Sequence, residues 1–333
     1  MSSLDQLDHA PILKRLGRAC FLVLGRFTAA ILILILVGTI AESIAEVVDE
    51  HTLPLVGQMV DVGGYRLHIS CKGTGIPTVV IDSGIGDWST SWVGIQTEVA
   101  RTTRVCIYDR AGYGWSEVGP QPRTSQQFVK ELRVLLNKAD IQGPYLLVGH
   151  SLGGLTVRLF AHEYPAEVSG LVFVDARNPG SVPLELSGIT TPERSFFSIE
   201  SILPALARIG IIRLVVRSFG LNPHLMPEEE RAKLAFLSHP VFYQTLQDEI
   251  RAIPESLAQA SAVQSLGDLP VIVLSRSLGN SAADKQWRVE QAGLLQLSTD
   301  SQQVIAEKSG HNIELDQPEV VIEAILKLVA KFR

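Results

Sequence analysis

Cysteine is scarce. Cys20, Cys71 and Cys106 are too few and odd in number for a disulfide framework, and they join no histidine cluster with metal-ligand spacing. A Cys71–Cys106 bond is open to the chain, but two buried free thiols are the expectation, since unpaired cysteine commonly packs as a small hydrophobe. No H-E-x-x-H and no EF-hand pattern occurs, so no metal is expected. Gly73-Thr74-Gly75 alone makes no nucleotide loop, and no cofactor is expected either. Positive charge is not in excess: 29 Lys and Arg against 35 Asp and Glu leave −6. That balance gives no electrostatic reason to expect nucleic acid as a partner. Internal repeats and low-complexity segments are absent. What is present is apolar residue, 46% of 333 positions, enough for one large domain or a domain carrying an insertion.

Charge vanishes altogether between Phe27 and Ala41, and Ala29–Val37 is almost wholly Ala, Ile and Leu. Extended back to residue 19 the stretch has the length of a bilayer-spanning helix. Arg26 interrupts it in the N-terminal third, where a long side chain snorkels to the headgroups. Lys14, Arg15 and Arg18 precede the run; Glu42, Glu46, Asp49 and Glu50 follow it. By the positive-inside rule residues 1–18 are a cytoplasmic tail, 19–41 a single transmembrane helix or signal anchor, and the remainder lies on the non-cytoplasmic side. Two other readings stay open: a cleaved signal peptide, given Ser43-Ile44-Ala45, and a core helix of a soluble domain. Residues 42–57, polar and holding Pro54 and Gly57, read as a linker to a domain at 58–333.

That domain opens with Met59–Val62 and Arg66–Cys71 around Gly63-Gly64, a hairpin signal. Short β-branched strands at Thr78–Asp82, Arg104–Tyr108, Tyr145–Val148 and Leu171–Val174 then alternate with helical stretches at Trp92–Ala100, Phe128–Ala139 and Leu152–Glu163. Such alternation argues for a mostly parallel sheet with helices on both faces. The pattern breaks over residues 176–268, helical in character, without a clear strand and punctuated by Pro179, Pro183, Pro192, Pro204, Pro223, Pro227, Pro240 and Pro254. This block reads as an inserted helical lid. Strands at Val271–Leu274 and Gln303–Ala306 resume, with helices near Gln286–Leu297 and from Pro318 to Phe332, where Pro318 suits a first helical turn.

Gly149-His150-Ser151-Leu152-Gly153 fits G-x-S-x-G. At average usage a chain of this size holds that pattern by chance in roughly one case in seven, so its context carries the weight. A strand precedes it and a helix follows, and a sharp turn between them would lift Ser151 above the sheet at a helix N-terminus. A serine hydroxyl needs a base. His311, in Ser309-Gly310-His311 after the last strand, is delivered to the same sheet edge, and the order serine then histidine fits. His150 is expected to be packed within the elbow. His68 and His162 read as structural, His9 and His51 as outside the domain, and His224 and His239 as lid residues. An oxyanion would need two backbone N–H groups: that of Leu152, just after the nucleophile, and that of Ile85, in the loop Asp82-Ser83-Gly84-Ile85-Gly86.

From Gln58 to Arg333 the chain resembles the α/β-hydrolase superfamily. The resemblance rests on Ser83-Gly84-Ile85-Gly86 before Trp92, on Asp109-Arg110-Ala111-Gly112-Tyr113-Gly114-Trp115-Ser116, on the elbow and on Ser309-Gly310-His311. It implies an α/β-hydrolase fold with a mostly parallel eight-stranded sheet and, for the Asp109–Ser116 block, a structural turn from which Tyr113 or Trp115 can reach a pocket. Ser83-Gly84 departs from the family's usual His-Gly. The family's acid usually follows the seventh strand, but here no carboxylate appears until Asp284; Asp175, at the end of the sixth strand, occupies a position some members use. Asp175 is favoured, because a short tether to a rigid strand aims a carboxylate better than a long loop, and Asp284 reads as a helix cap.

The function expected is serine hydrolysis by acyl transfer, most readily of a carboxylic ester. An apolar lid and an anchor suit a small lipophilic acyl compound. An aminopeptidase, lactonase, C–C hydrolase or acyltransferase on the same scaffold, or a ligand-binding protein that has kept the fold without turnover, are the alternatives. Dehalogenases and epoxide hydrolases of the family place Asp at the elbow, where this chain has Ser151.

Overall fold

The computed structural model describes residues 10–180, 199–219 and 227–332. His9, Pro183, Pro192, Pro223 and His224, named above, lie outside the described residues, as do the first nine residues of the expected tail.

A 43-residue helix, α1 (Ala10–Thr52), comes first. The hydrolase-like part follows as β1 (Gln58–Asp61), β2 (Arg66–Lys72), β3 (Thr78–Asp82), α2 (Val93–Val99), β4 (Val105–Tyr108), α3 (Ser125–Lys138), β5 (Tyr145–His150), α4 (Gly153–Glu163) and β6 (Val168–Val174). Among the described residues, four helices stand between β6 and β7: α5 (Ile199–Arg208), α6 (Ile211–Phe219), α7 (Pro227–Phe236) and α8 (Pro240–Ser261). The chain closes with β7 (Val271–Arg276), α9 (Ala282–Leu294), β8 (Ser301–Ala306), α10 (Ile313–Asp316) and α11 (Pro318–Ala330).

The eight strands form one sheet in the order β1-β2-β4-β3-β5-β6-β7-β8, antiparallel at β1–β2 and β2–β4 and parallel from β4 to β8. Every residue of β5 and β6 is buried, as strands covered on both faces require. Side chains alternate between two cores. Leu147, Phe173 and Val273 pack with Phe128, Leu132 and Phe160 on one face. Leu146, Val148, Val172 and Leu274 pack with Trp92, Ile95, Ile325 and Leu328 on the other. All parallel strands therefore end at one edge, and the loops leaving that edge carry the candidate site.

Two expectations need correction. The stretch read as a linker is helical as far as Thr52. Residues 42–52 contain no helix breaker, and the helix ends where Pro54 disfavours helical geometry for the residue before it. The cysteines read as free thiols form a disulfide, Cys71–Cys106. The antiparallel register of β2 and β4 sets Cys71 directly opposite Cys106, with Cα atoms 4.1 Å apart. Neither residue signals that pairing locally, because the two strands are separated in sequence by a third.

Candidate active site

Ser151 sits between the end of β5 and the start of α4 with φ +49°, a left-handed value uncommon for a non-glycine residue. Its backbone is held on both sides. Its N–H donates to the Val174 carbonyl (3.2 Å), and its own carbonyl accepts from Gly154 (3.1 Å) and Arg177 (2.8 Å). These contacts fix a strained conformation and raise the hydroxyl above the sheet edge.

His311 approaches from the loop after β8. Its Nε2 lies 3.0 Å from Ser151 Oγ and its Nδ1 2.6 Å from Asp175 Oδ2. Asp175 is fully buried, directly follows β6, and is itself held at φ +39°. Its carboxylate also accepts from the Arg276 backbone N–H (3.2 Å) and side chain (3.3 Å). Trp287 packs edge-on to the His311 ring and lies under the Arg276 guanidinium. Desolvation is the largest influence on His311 and holds its pKa below the usual 6.5, outweighing the upward pull of Asp175. A neutral imidazole with Nδ1–H donated to a carboxylate leaves Nε2 free to accept the serine proton.

Asp284, the other carboxylate considered, does not meet His311. It forms a capping box at the start of α9 with Ser281 and pairs with Arg276 Nη2 at 3.0 Å. The sequence order places it beyond a long loop, and the helix N-terminus claims it.

The loop after β3 closes against the serine. A Cβ on Gly84 would stand 2.7 Å from His150 Nδ1 and 3.2 Å from Ser151 Cβ, so only glycine fits there. Among the described residues neither the Ile85 nor the Leu152 N–H donates to a protein acceptor. Leu152, beside Ser151, opens the first turn of α4, where N–H groups lack intrahelical partners. Arg110 fixes this loop from beneath. Its guanidinium donates to the Ser83 carbonyl (2.5 Å), the Gly84 carbonyl (2.7 Å), Asp82 (2.8 Å) and Glu249 of α8 (2.8 Å). Tyr113 donates to the same Glu249 at 3.0 Å, and Trp115 packs on His68 and Phe236. The Asp109–Ser116 turn thus supports the loop and contributes no side chain to the Ser151–His311–Asp175 cluster.

His150 is buried, and its Nε2 lies 3.1 Å from the His311 carbonyl oxygen, tying the elbow to the histidine loop. Burial lowers its pKa. Behind it, Glu314 of α10 is buried with a carboxylate oxygen 3.8 Å from His150, and desolvation pushes its pKa up to about 8. His68 pairs with Asp109 (2.8 Å) and the Val56 carbonyl (3.0 Å), His162 is exposed on α4, His51 bonds within α1, and His239 lies 3.4 Å from Asp49. Arg110, Glu249, Arg276 and Glu314 are the residues that motif reading passes over. Arg110 alone stood inside a quoted motif.

Comparison with known proteins agrees with the fold. Residues 77–192 match a family model described as alpha/beta hydrolase fold. Uncharacterized protein YqjL of Bacillus subtilis (strain 168) is 29% identical over 257 residues, covering 76% of this chain and 84% of that protein. Among solved structures, a thermophilic esterase from Thermogutta terrifontis is 22% identical with TM-score 0.60, covering 82% of this chain and 98% of its own. The epoxide hydrolase CorEH is 20% identical with TM-score 0.62, covering 83% and 99%.

Proposed function

This chain has the α/β-hydrolase fold, and from that premise we propose that it is a membrane-anchored serine hydrolase acting through an acyl-enzyme intermediate, with a lipophilic carboxylic ester as substrate. The observation that carries the reading is the continuous relay Ser151 Oγ to His311 Nε2 at 3.0 Å and His311 Nδ1 to Asp175 at 2.6 Å. His311 takes the Ser151 proton as Oγ attacks the substrate carbonyl. The N–H groups of Ile85 and Leu152 donate hydrogen bonds to the developing oxyanion. Collapse of the tetrahedral intermediate expels the alcohol, which takes the proton from His311. Water, deprotonated by the same imidazole, then releases the acid. Asp175 holds the ring's tautomer and stabilises the imidazolium. Serine at the elbow, where an ester intermediate is hydrolysable at the acyl carbon, favours this reading over epoxide or haloalkane opening.

The anchor reading draws support from α1, a helix long and apolar enough to cross a bilayer with none of its apolar span buried in the protein. A Cys71–Cys106 disulfide suits an oxidising, non-cytoplasmic compartment for the hydrolase part.

The test is covalent labelling by a fluorophosphonate and turnover of acyl esters of graded chain length. Ser151→Ala is expected to abolish labelling and to lower turnover by several orders of magnitude with the fold retained. Equal labelling of wild type and variant would remove Ser151 from the mechanism.

A further inference from the structure

Of the charges that follow the apolar run of α1, Glu50 is exposed, but Glu42 and Asp49 turn toward the protein. Glu42 is only 1% exposed, and Arg213 of α6 grips its carboxylate at 2.7 and 2.8 Å while reaching Asp49 at 2.8 Å. The outward face of the same stretch is apolar: Ile40, Ile44, Val47 and Val48 are each half or more exposed. Their spacing of four, three and one residues puts them on one side of the helix. Carboxylates at 42 and 49 turned inward with aliphatic side chains outward is the reverse of a helix face in water.

Helices α5 and α6 continue that surface. Ile211, Leu214 and Val215 are exposed at i, i+3 and i+4 along α6, Leu214 by 70%, with Ile202 exposed on α5. The opposite side of α6 is buried through Ile212 and Arg213. The corner between α5 and α6 is seated on α1 inside its uncharged run. Gly38 touches the Ile209 carbonyl so closely that a Cβ there would collide with it. Among the described residues, the contacts that seat this corner on α1 include Gly38, Glu42 and Asp49.

We propose that the α5–α6 corner and the Ile40–Val48 face of α1 lie together in the acyl region of the bilayer leaflet on the hydrolase side. The occupant of this surface is phospholipid. The inference rests on the anchor reading and extends it: the lipid contact does not stop at Ala41 but includes the insertion above the Ser151 edge. Covering these aliphatic side chains with lipid removes apolar surface from water, and an interfacial corner of this kind takes up substrate dissolved in the same leaflet.

The test uses the full chain with Cys20→Ser, carrying one environment-sensitive fluorophore at Leu32→Cys, Leu214→Cys, Ile211→Cys or Ile76→Cys. Each variant is reconstituted in phosphatidylcholine vesicles with or without lipid bearing a nitroxide on its acyl chain. Leu214 and Ile211 are outward-facing, so neither change removes core packing, and each serves as a check on the other. Quenching is expected at Leu32, and at Leu214 and Ile211 to at least about half that extent. Ile76, before β3 at the opposite end of the sheet from Ser151, is expected to stay unquenched. Quenching at Leu32 without quenching at Leu214 and Ile211 overturns the proposal and leaves the anchor standing. Blue-shifted but unquenched emission at those two sites means that protein covers the face and overturns it too. No quenching at Leu32 sinks the anchor and the proposal together.

Discussion

The sheet edge and the anchor joint use one device for two purposes. At the edge, Arg110 bridges Glu249 and Asp82, and Arg276 bridges Asp175 and Asp284. At the joint, Arg213 bridges Glu42 and Asp49. In each case one guanidinium holds two carboxylates, at least one of them from a distant part of the chain, because its planar fork serves several acceptors at once. The surroundings differ. Around Arg110 everything is buried, and the clamp sets where the Gly84–Ile85 backbone stands relative to Ser151. Arg213 is buried on a helix whose other side is exposed, and the clamp ties the insertion to α1. The comparison teaches that a buried ion pair here is a positioning element first, since its net contribution to stability is offset by desolvation.

Breaking the most enclosed clamp should do most harm. Arg110→Ala leaves Glu249 and Asp82 buried without a counter-charge, at 0% and 1% side-chain exposure. A loss of about 3–5 kcal/mol is expected, read as a lowered denaturation midpoint, together with loss of fluorophosphonate labelling in whatever remains folded. Normal stability would mean that the loop after β3 is held by something else.

Next in size is Asp175→Asn, expected to lower kcat by about two to four orders of magnitude through the wrong imidazole tautomer while leaving stability nearly intact. The wild-type pH profile belongs to the same test. His311 must be neutral to act as base, and its pKa lies below 6.5. The acid limb of kcat/KM should therefore fall below pH 6.5, with activity flat above it until another group titrates. A limb above 6.5 would contradict the desolvated environment assigned to the ring.

A smaller effect is expected at the joint. Arg213→Ala removes a clamp that is 9% exposed, and roughly 2 kcal/mol is expected, between the limits for surface and fully buried pairs. Measured in detergent micelles, labelling of Ser151 per folded molecule should be unchanged. If labelling disappears at unchanged stability, joint and site are coupled and the division drawn above is wrong.

How much of this was legible in the sequence follows from range. The strand at Tyr145 and the helix from Pro318 are written in local periodicity and proline placement, and their observed bounds fall within two residues. Ser151 and His311 were candidates because each sits in a short motif beside an element end. Asp175 is favoured by its short tether, by a position some family members use and by the helix-cap reading of Asp284. The clamps were not legible. Arg110 and Glu249 are 139 residues apart, Arg276 and Asp175 101, and Arg213 and Glu42 171. No local signal marks an arginine whose partners arrive by tertiary folding. The same reason hid the disulfide. The linker failed differently: polar composition reads as solvated coil, whereas Glu42 and Asp49 lie on a helix and pair with Arg213.

The smallest effect separates the two carboxylates that share Arg276. Asp284 accepts from the Ser281 N–H at 3.0 Å and hydroxyl at 2.6 Å, and these bonds hold its pKa below the usual range. It reaches the site only through Arg276, at 3.0 Å. Asp284→Asn keeps the shape, so part of the capping box survives, and about 1 kcal/mol of stability is at stake. Its effect on catalysis is indirect. With one counter-charge gone, Arg276 bears more strongly on Asp175 and on His311, whose pKa it already lowers. The expected result is a change in kcat of less than about tenfold, with the acid limb displaced slightly downward. Asp175 has no such intermediary, since its carboxylate meets His311 Nδ1 directly at 2.6 Å. Kinetics of the two asparagine variants side by side decide the assignment. A loss of a hundredfold or more in Asp284→Asn, with Asp175→Asn near wild type, would exchange their roles and would mean that the histidine loop reaches a different position during turnover.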